Sequence, residues 1–181
     1  MNKKNIKDDS YKKLEIINEW INNSDNKTSI VLGIVGIILT IIFSNGSITN
    51  NLLKIVNEII LDINFDDVLY IIIFILLICF CIYGLYCLIK VLIPTLKIKF
   101  KNTKSFIYFG SICKYSNFKE YKKDLLKANE DDILDDLLNQ IYLNSIICSQ
   151  KFINFAKGIK FFLKGLIGTI IMYIIGILIY L

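Results

Sequence analysis

The sequence contains no histidine and no arginine, and Pro94 is its single proline. Without histidine, the commonest general base and the commonest metal ligand are missing. Five cysteines do not make good that loss. Cys79, Cys81 and Cys87 lie inside an apolar run, Cys113 and Cys148 stand alone, and no pair has the spacing of a zinc site. They read as small apolar fillers, and no disulfide is expected. A Gly-rich phosphate loop, a GxSxG elbow and a histidine-based triad are also missing. Nothing therefore marks an enzyme, and no metal or cofactor is expected. Asp131, Asp132, Asp135 and Asp136 offer carboxylates to a cation, but their spacing suits a solvated helix face better.

What is present is apolar. Of 181 residues, 55% are hydrophobic, clustered in blocks, and mean hydropathy is +0.56. A helix needs about 20 apolar residues to cross the ~30 Å hydrocarbon core. Val68–Ile89 runs uncharged, followed by Lys90 and Pro94. Gly165–Leu181 is a second such block, extended by Phe161–Leu163 beside Lys164, a lysine able to snorkel. Thr28–Phe43 is a third, short one that needs help from Ser44–Ile48. It is too far from the start, and lacks the cleavage site, to be a signal peptide. These blocks predict a mainly α membrane protein with three transmembrane helices. The expected layout is an amphipathic helix over 1–27, spans at 28–48, 68–93 and 161–181, an external loop at 49–67, and a small, mostly helical domain at 94–160.

Lysine placement sets the orientation. Six lysines precede the first block, Lys54 alone lies between the first and second, and the remaining fourteen fall between Lys90 and Lys164. By the positive-inside rule the N-terminus and the 94–160 domain are cytoplasmic, and the C-terminus is outside.

The cytoplasmic parts have their own patterns. Tyr11, Leu14, Ile17 and Ile21 mark one helix face, on a helix expected to run through Asp25 and Lys27 into the membrane. Lys97, Lys99 and Lys101 alternate with Ile98 and Phe100, and Phe106–Ile112 is rich in strand formers, so an extended connector or small hairpin is expected there. These lysines, with Lys104, suit anionic lipid head groups. That is the plain reading, and a cationic wall for a phosphate-bearing ligand is the sharper alternative. Tyr115 or Ser116 opens a helix through Lys127, a break follows near Asn129, and Glu130–Asp132 suits a helix N-terminus. Leu134, Leu138, Ile141, Ser145, Cys148 and Phe152 then recur at alternating steps of four and three, a coiled-coil-like seam on a long helix running into the last span.

The layout resembles a known family, the transmembrane effectors of Pycsar, the pyrimidine cyclase system for antiphage resistance. The matching pieces are Asp25–Ser29 at the membrane entry, Pro94, Tyr108–Ile112, Tyr121, and Leu138–Ile141 with Ser145, Lys151 and Phe152. Thr28 and Ser111 stand where the family often has alanine and an acidic residue. The resemblance implies a bacterial inner-membrane effector, activated by cyclic UMP or cyclic CMP from a partner cyclase encoded nearby, that compromises the membrane in abortive infection. The 94–160 domain is then the sensor, and a homo-oligomer is expected. Phosphate would meet Lys97, Lys99, Lys101 and Lys104, and the pyrimidine would stack on Tyr108 and Phe109. Gln140 and Asn144 would read the base edge, with Asp25 and Lys27 close to the ribose or the lysines. A polymeric nucleic acid is not an expected partner. Two other readings stay open: a constitutive membrane scaffold binding a soluble partner, and a ligand-independent holin-like toxin.

Overall fold

A computed structural model of the chain describes residues 3–61, 63–93 and 105–180. Those residues form six helices: α1 (Lys3–Ser44), α2 (Gly46–Leu61), α3 (Phe65–Leu92), α4 (Phe109–Ile112), α5 (Phe118–Lys127) and α6 (Glu130–Tyr180). Three of them, α1, α3 and α6, are long and apolar enough to cross a membrane. Segment 49–67, expected as a loop, is helical as far as Leu61. The chain divides into two units. A polar unit comprises Met1–Ser24 and Pro94–Lys151, and an apolar bundle comprises Asp25–Ile93 and Phe152–Leu181. Helices α1 and α6 each continue from one unit into the other.

In the polar unit, helix starts are set by caps. Asn117 Oδ1 accepts the Glu120 N–H at 3.0 Å, and the Glu120 carboxylate accepts the Ser116 N–H at 3.3 Å. At the next start the exchange is reciprocal: Asn129 Oδ1 accepts the Asp132 N–H at 2.7 Å, and the Asp132 carboxylate accepts the Asn129 N–H at 3.0 Å. Each satisfies backbone donors that a helix start leaves open, worth about 1 kcal/mol per cap. Along α1, Ser10 and Ile17 are buried while Tyr11 is 45% exposed. Ile17 of the expected face is buried and Leu14 and Ile21 are half-buried, but Tyr11 turns outward and the small Ser10 takes the buried place.

Helix α6 buries Cys148 of its expected seam and half-buries Leu134 and Ile141, but departs from the seam elsewhere. In the polar unit Leu137, Gln140, Leu143, Cys148 and Lys151 are buried, whereas Leu138 is 44% exposed. In the bundle, Phe152 is 41% exposed. The buried row includes polar side chains, which a count of apolar spacing passes over.

In the bundle, α3 and α6 run antiparallel. Tyr70 donates to the Met172 carbonyl at 2.9 Å. Farther along, a Cβ on Gly168 would lie 2.5 Å from Leu77, and one on Gly165 2.7 Å from Cys81. At Gly84 an added Cβ would lie 2.5 Å from the Phe162 backbone nitrogen and 2.8 Å from the Gly158 carbonyl. Lipid is as apolar as leucine, so helices in it associate by close packing, and glycine permits the closest approach. Leu88 and Val91 are fully buried beside this contact. At the far end, the Tyr180 hydroxyl donates to Asp67, which also accepts the Asn64 N–H at 3.0 Å.

Candidate functional site

Ser105 organises the polar unit's one dense polar cluster among the described residues. It is 2% exposed. Its hydroxyl donates to Asp136 Oδ2 at 3.0 Å and accepts the Tyr108 N–H at 2.9 Å and the Gln140 side-chain N–H at 3.2 Å. The same Asp136 oxygen accepts the Phe106 N–H at 2.8 Å. The Ile107 N–H is shared between Asp136 at 3.2 Å and Ser105 Oγ at 3.3 Å. Tyr121 donates to the Phe106 carbonyl at 3.3 Å. Bonds to a charged carboxylate are about twice as strong as neutral ones, so residues 105–108 are held firmly against α6.

This cluster explains why no strand forms at 106–112. Three consecutive backbone N–H groups that a hairpin would place in a ladder are taken by Ser105 and Asp136. The chain then makes the single turn α4. Among the described residues no strand is present. The Tyr108 ring lies 4.8 Å from that of Phe109 and folds so close over Gly110 that a Cβ there would sit 2.5 Å from it. A side chain there would have to displace the Tyr108 ring. Phe109 is 65% exposed, so an aromatic surface is presented at the end of the pinned segment.

Of the residues expected to meet a ligand, Tyr108 and Gln140 are brought together through Ser105, with Phe109 beside Tyr108. Asn144 is engaged elsewhere, donating to Asn18 of α1 at 3.0 Å. Asp25 and Lys27 belong to the other unit, where the Asp25 carbonyl accepts the Ser29 hydroxyl at 3.0 Å. Lys97, Lys99, Lys101 and Lys104 lie outside the described residues. Sequence reasoning missed Ser105 and the role of Asp136. The signal available was the pair Asp136 and Gln140, one turn apart on α6.

The acidic start of α6 is divided by use: Asp132 closes the Asn129 cap and Asp136 pins the 105–107 backbone. No group of three His, Cys, Asp or Glu able to hold a metal occurs among the described residues. Burial pushes the Cys148 thiol above its ordinary value, against a weaker opposing pull from Lys151.

The comparisons with known proteins agree on one family. The Pycsar effector protein domain matches residues 9–180. The chain is 32% identical to the Pycsar effector protein GmPycTM of Gulbenkiania mobilis, over 92% of this chain and 91% of that one. It is 25% identical to the Pycsar effector protein EcPycTM of Escherichia coli, over 86% and 82%. No solved structure matches. Three membrane-length helices, a separate polar unit and a family match running almost end to end carry one conclusion: this chain belongs to the Pycsar effector family, the transmembrane effectors of an antiphage defence.

Proposed function

We propose that this protein senses a cyclic pyrimidine nucleotide, cyclic UMP or cyclic CMP, made by a partner cyclase on infection, and responds by making the inner membrane permeable. Host arrest then precedes phage maturation. The observation that carries the reading is membership of the effector family across residues 9–180. The polar unit supplies the sensor and faces the cytoplasm, where its lysines and those of the N-terminus belong by the positive-inside rule.

The ligand chemistry draws on the pinned segment. Lys104 immediately precedes Ser105 in the sequence, so the lysine-rich stretch leads into the anchored turn. Phosphate charge meets Lys97, Lys99, Lys101 and Lys104, and the pyrimidine stacks on the exposed Phe109 beside Tyr108. Gln140 serves by holding Ser105. Asn144 remains a candidate for the base edge. The protein acts by binding, without chemical turnover. A ligand shifts an equilibrium only through differential affinity, and moving it from 1:99 to 99:1 takes about 5.5 kcal/mol. Helix α6, unbroken from Glu130 to Tyr180, is the element both units share with α1 and is suited to carry that shift. Three spans are too few to line a wide pore, so the active form is a homo-oligomer.

Titration calorimetry of the full chain in detergent, with cyclic UMP and cyclic CMP, tests the sensor. Lys99→Ala with Lys101→Ala weakens binding, and unchanged affinity removes the site assignment. Inner-membrane permeability in cells, with and without added nucleotide, tests the response. Permeability that ignores nucleotide turns the reading toward a holin-like toxin.

A further inference from the structure

The first two helices carry a face that the bundle leaves unused. In its bundle half, α1 buries Thr28 and Val35 and exposes Ile30, Ile34, Ile37 and Ile41, a row suited to lipid. A third row, Ser29, Gly33, Gly36, Thr40 and Ser44, recurs at steps of four, three, four and four and is exposed throughout. Helix α2 repeats the division. Ile55 and Ile59 are buried, Leu53, Val56 and Ile60 are exposed apolar residues, and Ser47, Asn50, Lys54 and Glu58 are exposed polar ones. Nothing lies within 4 Å of a Cβ placed on Gly33, Gly36 or Gly46, whereas Gly84, Gly158 and Gly165 press on neighbouring helices.

The depth of this row follows from contacts inside the bundle. Ile55 sits at Gly176, and the Asn51 amide reaches the Tyr173 hydroxyl at 3.4 Å. Ile59 and Ile60 share an apolar groove of about 300 Å³ with Tyr70 and Ile71 of α3. Thus α2 runs with α6 and against α3, beside the outer part of both. Counting back ten residues from Ile55 places Asn45, where α1 stops and α2 begins, about 15 Å inward. That is roughly level with Ile78–Cys81 of α3, within the uncharged stretch Val68–Ile89. Helix α1 therefore stops at Asn45 well inside the bundle, and α2 continues from there beside its outer part. Irregular backbone at such depth persists only where protein covers it or water reaches it. The hydroxyls of Ser29 and Thr40 return to the carbonyls of Asp25 and Gly36, a bond that either medium allows. An interrupted helix with Asn45, Asn50 and Lys54 exposed on it is not suited to lipid.

We propose that this row turns toward the same row of further copies of this chain and lines the water-filled path opened by the active effector. A second copy brings an identical polar row at an identical depth, so polar meets polar, while the row of Ile30, Ile34 and Ile37 stays in lipid. The inference rests on the permeabilising function proposed above and adds which surface carries the water.

The test uses the full chain in planar bilayers under a potassium chloride gradient, with cyclic UMP and cyclic CMP as probes. Ser44→Lys shifts the reversal potential toward chloride selectivity and Ser44→Asp toward potassium, while Ile37→Val leaves it in place. Unshifted potentials in both Ser44 variants, with current intact, overturn the lining and leave the permeabilising function standing. A wild-type chain passing no current with either nucleotide defeats that function. Hydrogen exchange of the wild-type chain in the same bilayers then decides the row separately. Rapid exchange at 44–49 against protection at 74–84 supports a wet face, and equal protection overturns it.

Discussion

At the scale of single residues, the glycines separate into two kinds that look alike in the sequence. Gly84 lies against backbone atoms of α6 that cannot move aside without parting the helices. Gly84→Ala should therefore destabilise the bundle by about 1–3 kcal/mol. Gly33 faces open space, and Gly33→Ala should leave stability unchanged or raise it by about 0.5–1 kcal/mol through helix propensity. Thermal unfolding of the two variants in one detergent measures the difference. Cysteines divide similarly. Cys148 is buried and its thiol is pushed up, while Cys113 is exposed. A raised thiol pKa keeps the reactive thiolate scarce until the pH exceeds it. Iodoacetamide at pH 8 should modify Cys113 and spare Cys148, with Cys148 labelling rising as pH is increased; mass spectrometry of the digested chain reads both. Ser105 belongs at this scale too. It is small and polar, of a kind that usually marks a loop, yet it gathers Asp136, Gln140 and the 107–108 backbone. No periodicity points to it, because its partners lie 31 and 35 residues away.

At the scale of elements, the break and cap at Asn129 were legible, whereas the break at Asn45 and much of the seams were not. Asn129 followed by Asp132 signals a helix start from local chemistry alone. The buried rows of α1 and α6 required the fold. An apolar count chose Tyr11 and Leu138, whereas the chain buries Ser10 and Gln140, because close approach and hydrogen bonding favour small or amide side chains there. Of the two readings of 106–112, connector or hairpin, the hairpin does not form for a related reason: its donors are claimed by Asp136 from another element. The continuity of α6 leads to a sharper expectation. Phe152→Pro removes a backbone donor and clashes with the preceding turn, at a cost of about 3 kcal/mol or more to the helix. Phe152 lies beside the boundary between the units and is 41% exposed, so the substitution removes little packing from either. Nucleotide binding measured by calorimetry should survive, and nucleotide-triggered permeability of proteoliposomes should be lost. Loss of both would mean that the helix supports the sensor and does not couple it.

At the scale of the whole molecule, three helices are long and apolar enough to cross a membrane, and the lysines are distributed unevenly around them, so the proposed orientation makes a direct prediction. Reporter fusions at Met1 and Leu181 should fall on opposite sides of the membrane, the first active in the cytoplasm and the second outside. Finding both on one side would reverse or remove a span. The sequence by itself determined the class of the molecule, because membrane insertion depends on the length and purity of apolar runs, which are local properties. It also carried the family, since the matching fragments are spread along the chain in order. Tertiary structure decided which residues of each helix face inward. It paired α3 with α6 through Gly84, Gly158, Gly165 and Gly168 and left Gly33 and Gly36 open. It drew Ser105 onto Asp136. The physical reason is that inside lipid, and around a pinned polar turn, hydrophobicity no longer tells one face from another, and only the fit between distant surfaces does.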